Sequence, residues 1–110
     1  MTKYDYELYR IKAAFCKTLA DAKRQMIISE LRSGEKTVGQ VAEIIEISQP
    51  SASHHLAILR EAGIVRSKRE GPNVYYSLTT PKIAEACDIV QEILLDQMVK
   101  NKEFADRIMS

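Results

Sequence analysis

Ser48, Gln49, Ser51, Ser53 and His54 stand within seven residues of one another. Each carries a short polar group. A glutamine amide can pair bidentately with adenine, and a serine hydroxyl can serve a base edge or a phosphate. At the start of a helix, the free backbone N–H groups also favour phosphate. The same residue types occur in nucleophilic catalysis, but here they share one helix surface, with no orienting third group and no pocket. The expectation is therefore a binding surface, not an enzyme. Further along, Arg60, Lys68 and Arg69 supply positive charge, and Thr37 lies upstream as another hydroxyl. Tyr75 and Tyr76 point to opposite faces of a strand, so one packs and the other can touch phosphate; Tyr76 is taken as the contact.

These residues need elements to hold them. Residues 5–19 read as a helix with two apolar stripes, Leu8-Ile11-Phe15-Leu19 and Tyr9-Ala13-Cys16-Ala20. A helix apolar on two sides packs on two sides, as at a dimer interface. Asp21 is placed to cap a helix over 22–33, with Met26, Ile27, Ile28 and Leu31 in the core and Gly34 as its stop. Thr37-Val38-Gly39-Gln40 fits a capping box, and Val38, Val41, Ala42 and Ile45 make one apolar face. Ile47-Ser48 forms a tight break. Ser48 caps a helix over 49–62, which tolerates Pro50 in its first turn. Ala52, Leu56 and Leu59 face inward and Gly63 closes it. Residues 64–69 and 73–78 read as a β-hairpin around Glu70-Gly71-Pro72-Asn73. Thr80-Pro81 opens a long last helix with Ile83, Cys87, Val90 and Leu94 on one seam and a break expected near Lys100–Glu103.

Two short helices joined by a tight turn, followed by a hairpin, make a helix-turn-helix with a wing. The fold class is mainly α with a small β-hairpin wing, in a single domain over 1–110. The second helix of such a pair fits the major groove while the first braces it. Charge is sorted modestly towards this face. Residues 48–78 hold Arg60, Arg66, Lys68 and Arg69 against Glu61 and Glu70, net +2, which leaves 12 basic and 13 acidic residues elsewhere, net −1. Each phosphate neutralised adds affinity through counterion release. A winged helix that docks protein and has little DNA affinity is the alternative. His55, on the inner flank of its helix, reads as structural.

Composition narrows the classes. The chain has 110 residues, 45% of them apolar and 28% charged, as in an ordinary globular domain. No run of about 18 apolar residues is present, so no membrane partner is expected. Residues 1–10 lack the apolar core of a signal peptide. The two cysteines, Cys16 and Cys87, lie 71 positions apart, which is neither a disulfide scaffold nor a zinc pair. A reducing cytoplasm is the expected compartment.

The stretch Thr37-Val38-Gly39-Gln40-Val41-Ala42, with Ile47-Ser48-Gln49-Pro50-Ser51-Ala52-Ser53-His54-His55-Leu56 and on through Leu59-Arg60-Glu61-Ala62-Gly63-Ile64-Val65, resembles the ArsR/SmtB family of bacterial and archaeal repressors. Arg69-Glu70-Gly71 and Val74-Tyr75-Tyr76-Ser77-Leu78 resemble that family's wing. Leu19-Ala20-Asp21-Ala22-Lys23-Arg24 resembles its first helix junction, where Ala22 replaces a frequent proline. The likeness runs from about residue 8 to 98. It implies a homodimer formed through the first and last helices. It also implies an operator of double-stranded DNA with two-fold symmetry, and repression relieved by an effector.

The effector is unknown. The resemblance implies two possible metal sites. One would need a cysteine within Val38–Ile45, where there is none. The other would need histidine on the last helix, which offers Asp88, Glu92, Asp96 and Glu103 but no histidine; both histidines lie in the recognition helix. No metal and no cofactor is expected. Cys16 and Cys87 remain as redox or effector candidates. Three readings stay open for them: packing as small hydrophobes, oxidant or reactive-sulfur sensing, and thiolate metal binding.

Overall fold

The computed structural model describes residues 3–109. The elements in order are α1 (Lys3–Thr18), α2 (Ala22–Leu31), β1 (Lys36–Thr37), α3 (Val38–Ile44), α4 (Gln49–Glu61), β2 (Val65–Glu70), β3 (Asn73–Leu78) and α5 (Lys82–Met109). Helices α2, α3 and α4 surround one apolar centre. Ile27, Ile28 and Leu31 come from α2, Val41 and Ala42 from α3, and Ala52, Leu56 and Leu59 from α4. Ile45, Ile64 and Val65 close the cluster, with Leu19, Val38, Tyr76, Leu78 and Ile83 packed against it. Those from α2, α3 and α4, with Val38 and Ile45, are the positions that helical periodicity placed inward, with one exception. Met26 is 41% exposed, because it turns towards a groove between α2 and α5.

The caps follow from side-chain chemistry. Asp21 accepts from the Arg24 N–H at the head of α2. That contact holds the Asp21 carboxyl below its ordinary pKa of 3.8. Thr37 accepts from the Gln40 N–H at 3.2 Å, and Gln40 accepts in turn from the Thr37 N–H at 2.9 Å. Each bond satisfies a donor that the helix itself leaves orphaned.

The sheet has three antiparallel strands in the order β1-β3-β2, where the sequence suggested a hairpin alone. β1 is two residues long and pairs Lys36 with Tyr76 and Thr37 with Tyr75. It exists because β3 offers a free edge, a tertiary cause with no local signature. β2 and β3 pair from Val65–Leu78 out to Glu70–Asn73. Gly71 begins the two-residue turn with φ 61°, a conformation open to glycine at no steric cost.

The last helix does not break. α5 runs unbroken for 28 residues, because Lys100-Asn101-Lys102-Glu103 contains no glycine or proline, and lysine and glutamate are good helix formers. Among the described residues of α5, only Ala84 is buried. No helix among the described residues is long and apolar enough to cross a membrane.

Candidate nucleic-acid interface

Helix α3 is short and rests on the core through Val41 and Ala42. Glu46 then reverses the chain with φ 57°. A left-handed glutamate is unusual. The flanking bonds, Ile45 N–H to the Val41 carbonyl and Ile47 N–H to the Ala42 carbonyl, hold it there. Ser48 follows as N-cap of α4, accepting from the Ser51 N–H at 3.2 Å. Its hydroxyl donates to Ser51 Oγ at 3.0 Å, so these two proposed contacts are bound to each other.

Two stripes emerge along α4. Gln49, Ser53 and Arg60 fall on one line by helical spacing, and Ser51 and His54 on another, about 150° further round the helix. All five are exposed, while Ala52, Leu56 and Leu59 are fully buried beneath them. Gly39 lets α3 and α4 meet closely. A methyl group there would stand 3.1 Å from Gln49 Nε2 and 3.9 Å from Thr37 Oγ1. Thr37 and Gln49 are thereby brought to one place, whereas Arg60 lies about 16 Å further along the helix axis.

The strand register divides the wing. Val65, Ser67 and Arg69 share a face with Val74, Tyr76 and Leu78; Val65, Tyr76 and Leu78 pack on the core at its base, while Ser67 and Arg69 stay exposed. Arg66, Lys68 and Glu70 share the other face with Asn73, Tyr75 and Ser77. Tyr76, assigned to phosphate from sequence, is therefore turned inwards and half-buried, and Tyr75 takes the outer face. The alternation was legible, but which phase faces the core depended on pairing with β2. Lys68 and Arg69 also part company. Lys68 Nζ lies 2.8 Å from Glu70 Oε1, which raises its pKa above the ordinary 10.5. Arg66 Nε donates to Ser77 Oγ at 3.4 Å. Arg69 has no ion-pair partner among the described residues.

Two links were missed from sequence because their partners are far apart in the chain. Arg24 of α2 reaches His55 of α4 at 3.3 Å. Arg32 grips Asp88 of α5 with two bonds of 2.7 and 2.8 Å and also donates to the Ala84 carbonyl. The guanidinium holds the Asp88 carboxyl below its usual 3.8.

Cys16 and Cys87 line a groove of about 840 Å³ between the end of α1, α2 and α5, together with Met26, Ser29 and Leu94. Cys16 is exposed and Cys87 half-buried. Burial pushes the Cys87 thiol above its ordinary 9.0, with the Asp88 charge acting in the same direction. That shift is opposite to the one that makes a thiol reactive. Among the described residues, no group of three or more His, Cys, Asp or Glu is arranged to hold a metal.

A core-braced helix pair with a polar second helix, flanked by a three-stranded wing, defines a winged helix-turn-helix regulator. Residues 21–67 match the model of the bacterial regulatory protein family arsR. The biofilm growth-associated repressor of Xylella fastidiosa (strain Temecula1) is 36% identical over 98 residues, 88% of this chain and 86% of that protein. The chain belongs to the ArsR family, and its fold and relatives are those of transcriptional regulators, not enzymes. The crystal structure of Mycobacterium tuberculosis Rv0081 superposes with a TM-score of 0.79 at 32% identity, over 86% of this chain and 95% of that one. A homodimeric winged helix-turn-helix DNA-binding domain from Mycobacterium bovis, a possible ArsR-family regulator, superposes with a TM-score of 0.78 at 26% identity, over 89% and 91%.

Proposed function

We propose that the chain is a homodimeric, sequence-specific DNA-binding repressor of the cytoplasm. Helix α4 enters the major groove, the wing follows the backbone, and α1 and α5 join two protomers. The observation that carries this is α4 itself, whose buried face is fully engaged while Gln49, Ser53 and His54 stand exposed. Gln49 and Ser53 read base edges. Thr37, Ser48 and Ser51 crowd the helix starts, where phosphate is favoured, and His54 and Arg60 extend the contact. Arg69 holds backbone phosphate, and Lys68 contributes less because Glu70 already pairs with it.

The test is fluorescence anisotropy with a duplex selected by the protein from a random-sequence library. Gln49→Ala is expected to lose about 1–3 kcal/mol of discrimination against the wrong base. Arg69→Ala is expected to weaken binding to all sequences and to reduce the salt slope by about one, with Lys68→Ala smaller in both. Selection of no duplex, with salt-insensitive binding throughout, would point to a protein-docking module instead.

A further inference from the structure

Arg24 touches three elements at once. Its Nε donates to the Thr18 carbonyl at the end of α1 at 2.6 Å. Its Nη1 meets His55 Nδ1 on α4 at 3.3 Å. Its own N–H is held by Asp21 at the head of α2 at 3.1 Å. A guanidinium offers donors only, so a hydrogen bond here requires His55 Nδ1 to accept, with the ring proton on Nε2. Helix α1 packs extensively on no other element of its own chain. The Arg24 bridge gives α1 a direct polar route to the reading helix.

We propose that Arg24 is a positioning residue for DNA recognition: it ties α4 to the end of α1 and holds His55 as the Nε2–H tautomer. This rests on the DNA-binding reading above and adds to it a part that fixes the spacing of the two reading helices. In the dimer, α1 is shared with the partner, so an α4 tied to α1 has a set distance from the dyad, and two half-sites at one separation are read. The charged and titratable groups facing His55 are Arg24 and Asp21, with the His54 ring 5.9 Å away. The bridge needs a neutral His55, since an imidazolium has no acceptor to offer Arg24.

Four variants separate the outcomes. Arg24→Ala removes the bridge and Arg24→Lys keeps the charge without the fork. His55→Asn retains an oxygen acceptor near the position of Nδ1, and His55→Leu retains none. Binding is measured to the duplex selected by the unaltered protein and to the same duplex with one base pair inserted between its half-sites. Arg24→Ala and His55→Leu are expected to bind the selected duplex about tenfold more weakly and to discriminate less against the insertion. His55→Asn is expected to stay close to the unaltered protein, and Arg24→Lys to fall between. An equal loss on both duplexes would make Arg24 merely structural and overturn the proposal. So would unchanged binding in Arg24→Ala.

The ¹⁵N spectrum of the imidazoles gives a second reading that needs no DNA. The chain has only two histidines. His55 should show a protonated Nε2 and a bare Nδ1, and Arg24→Ala should convert this to a tautomer mixture. An unchanged His55 signal would also overturn the proposal. If the unaltered protein selects no duplex, the functional reading fails, and the spectrum still decides the Arg24 bridge on its own.

Discussion

Between Ala22 and Leu78 the chain buries most of its large apolar side chains, with Met26 and Ile44 as exposed exceptions; Ile27, Val41, Leu56, Leu59 and Ile64 are at 0% exposure. Along α1 and α5 the pattern reverses. Leu8, Ile11, Ile93 and Leu94 are each more than half exposed, and Val99, Phe104 and Ile108 continue the apolar surface along α5. The central body is closed by its own side chains and caps, whereas the terminal helices leave a run of large apolar side chains exposed, the kind of surface that marks an interaction site. One chain thus contains a body closed on itself and terminal helices left open, and under the proposed function a second copy covers those helices.

The contrast can be tested by damaging each region in turn. The largest effect is expected from Leu56→Ala in the body, which should cost about 2–5 kcal/mol of unfolding free energy in denaturant titration. An effect below about 1 kcal/mol would mean that the centre is loosely packed. Next comes Ile93→Asp on the exposed stretch of α5. Its expected result is a dimer weakened by about 100-fold, read by sedimentation, because a carboxylate would be buried at the interface without a partner. The body's near-ultraviolet circular dichroism should be unchanged. An unaffected dimer would move the interface elsewhere.

The smallest effect concerns the seam between the two regions. Asp88 has a lowered pKa through its bond with Arg32, so its contribution is present above its ordinary 3.8 and disappears as pH falls through the lowered value. Asp88→Asn should therefore reduce stability slightly at neutral pH and not at all once the native carboxyl is protonated. Parallel pH–stability curves for the two proteins would deny the ion pair any part in joining α5 to the body. Both partners are well exposed, so solvent screens the pair and the effect stays small.

Local chemistry announced the body well. Thr37 with Gln40, Ser48 before Pro50, and the spacing of Ala52, Leu56 and Leu59 each carry their cause within a few residues, and the structure places them accordingly. What sequence could not reveal depended on distant partners. β1 needs the edge of β3, Tyr76 takes its direction from pairing with β2, and Arg24 and Arg32 find His55 and Asp88 at separations of 31 and 56 residues. Glu46 hid for another reason: a left-handed position normally advertises itself as glycine or asparagine, and here neighbouring bonds impose it on a residue that gives no sign. The break expected near Lys100 does not occur, because lysine and glutamate extend a helix readily.

The unbroken length of α5 has a mechanical meaning. From Asp88, where Arg32 grips the helix, to Met109 there are 21 residues, about 31 Å at the helical rise of about 1.5 Å per residue. A tilt of about 5° at that grip swings the far end by about 3 Å over such an arm. The helix is a pointer pivoted beside the groove that holds Cys16 and Cys87, and small adjustments at the pivot are magnified at its tip.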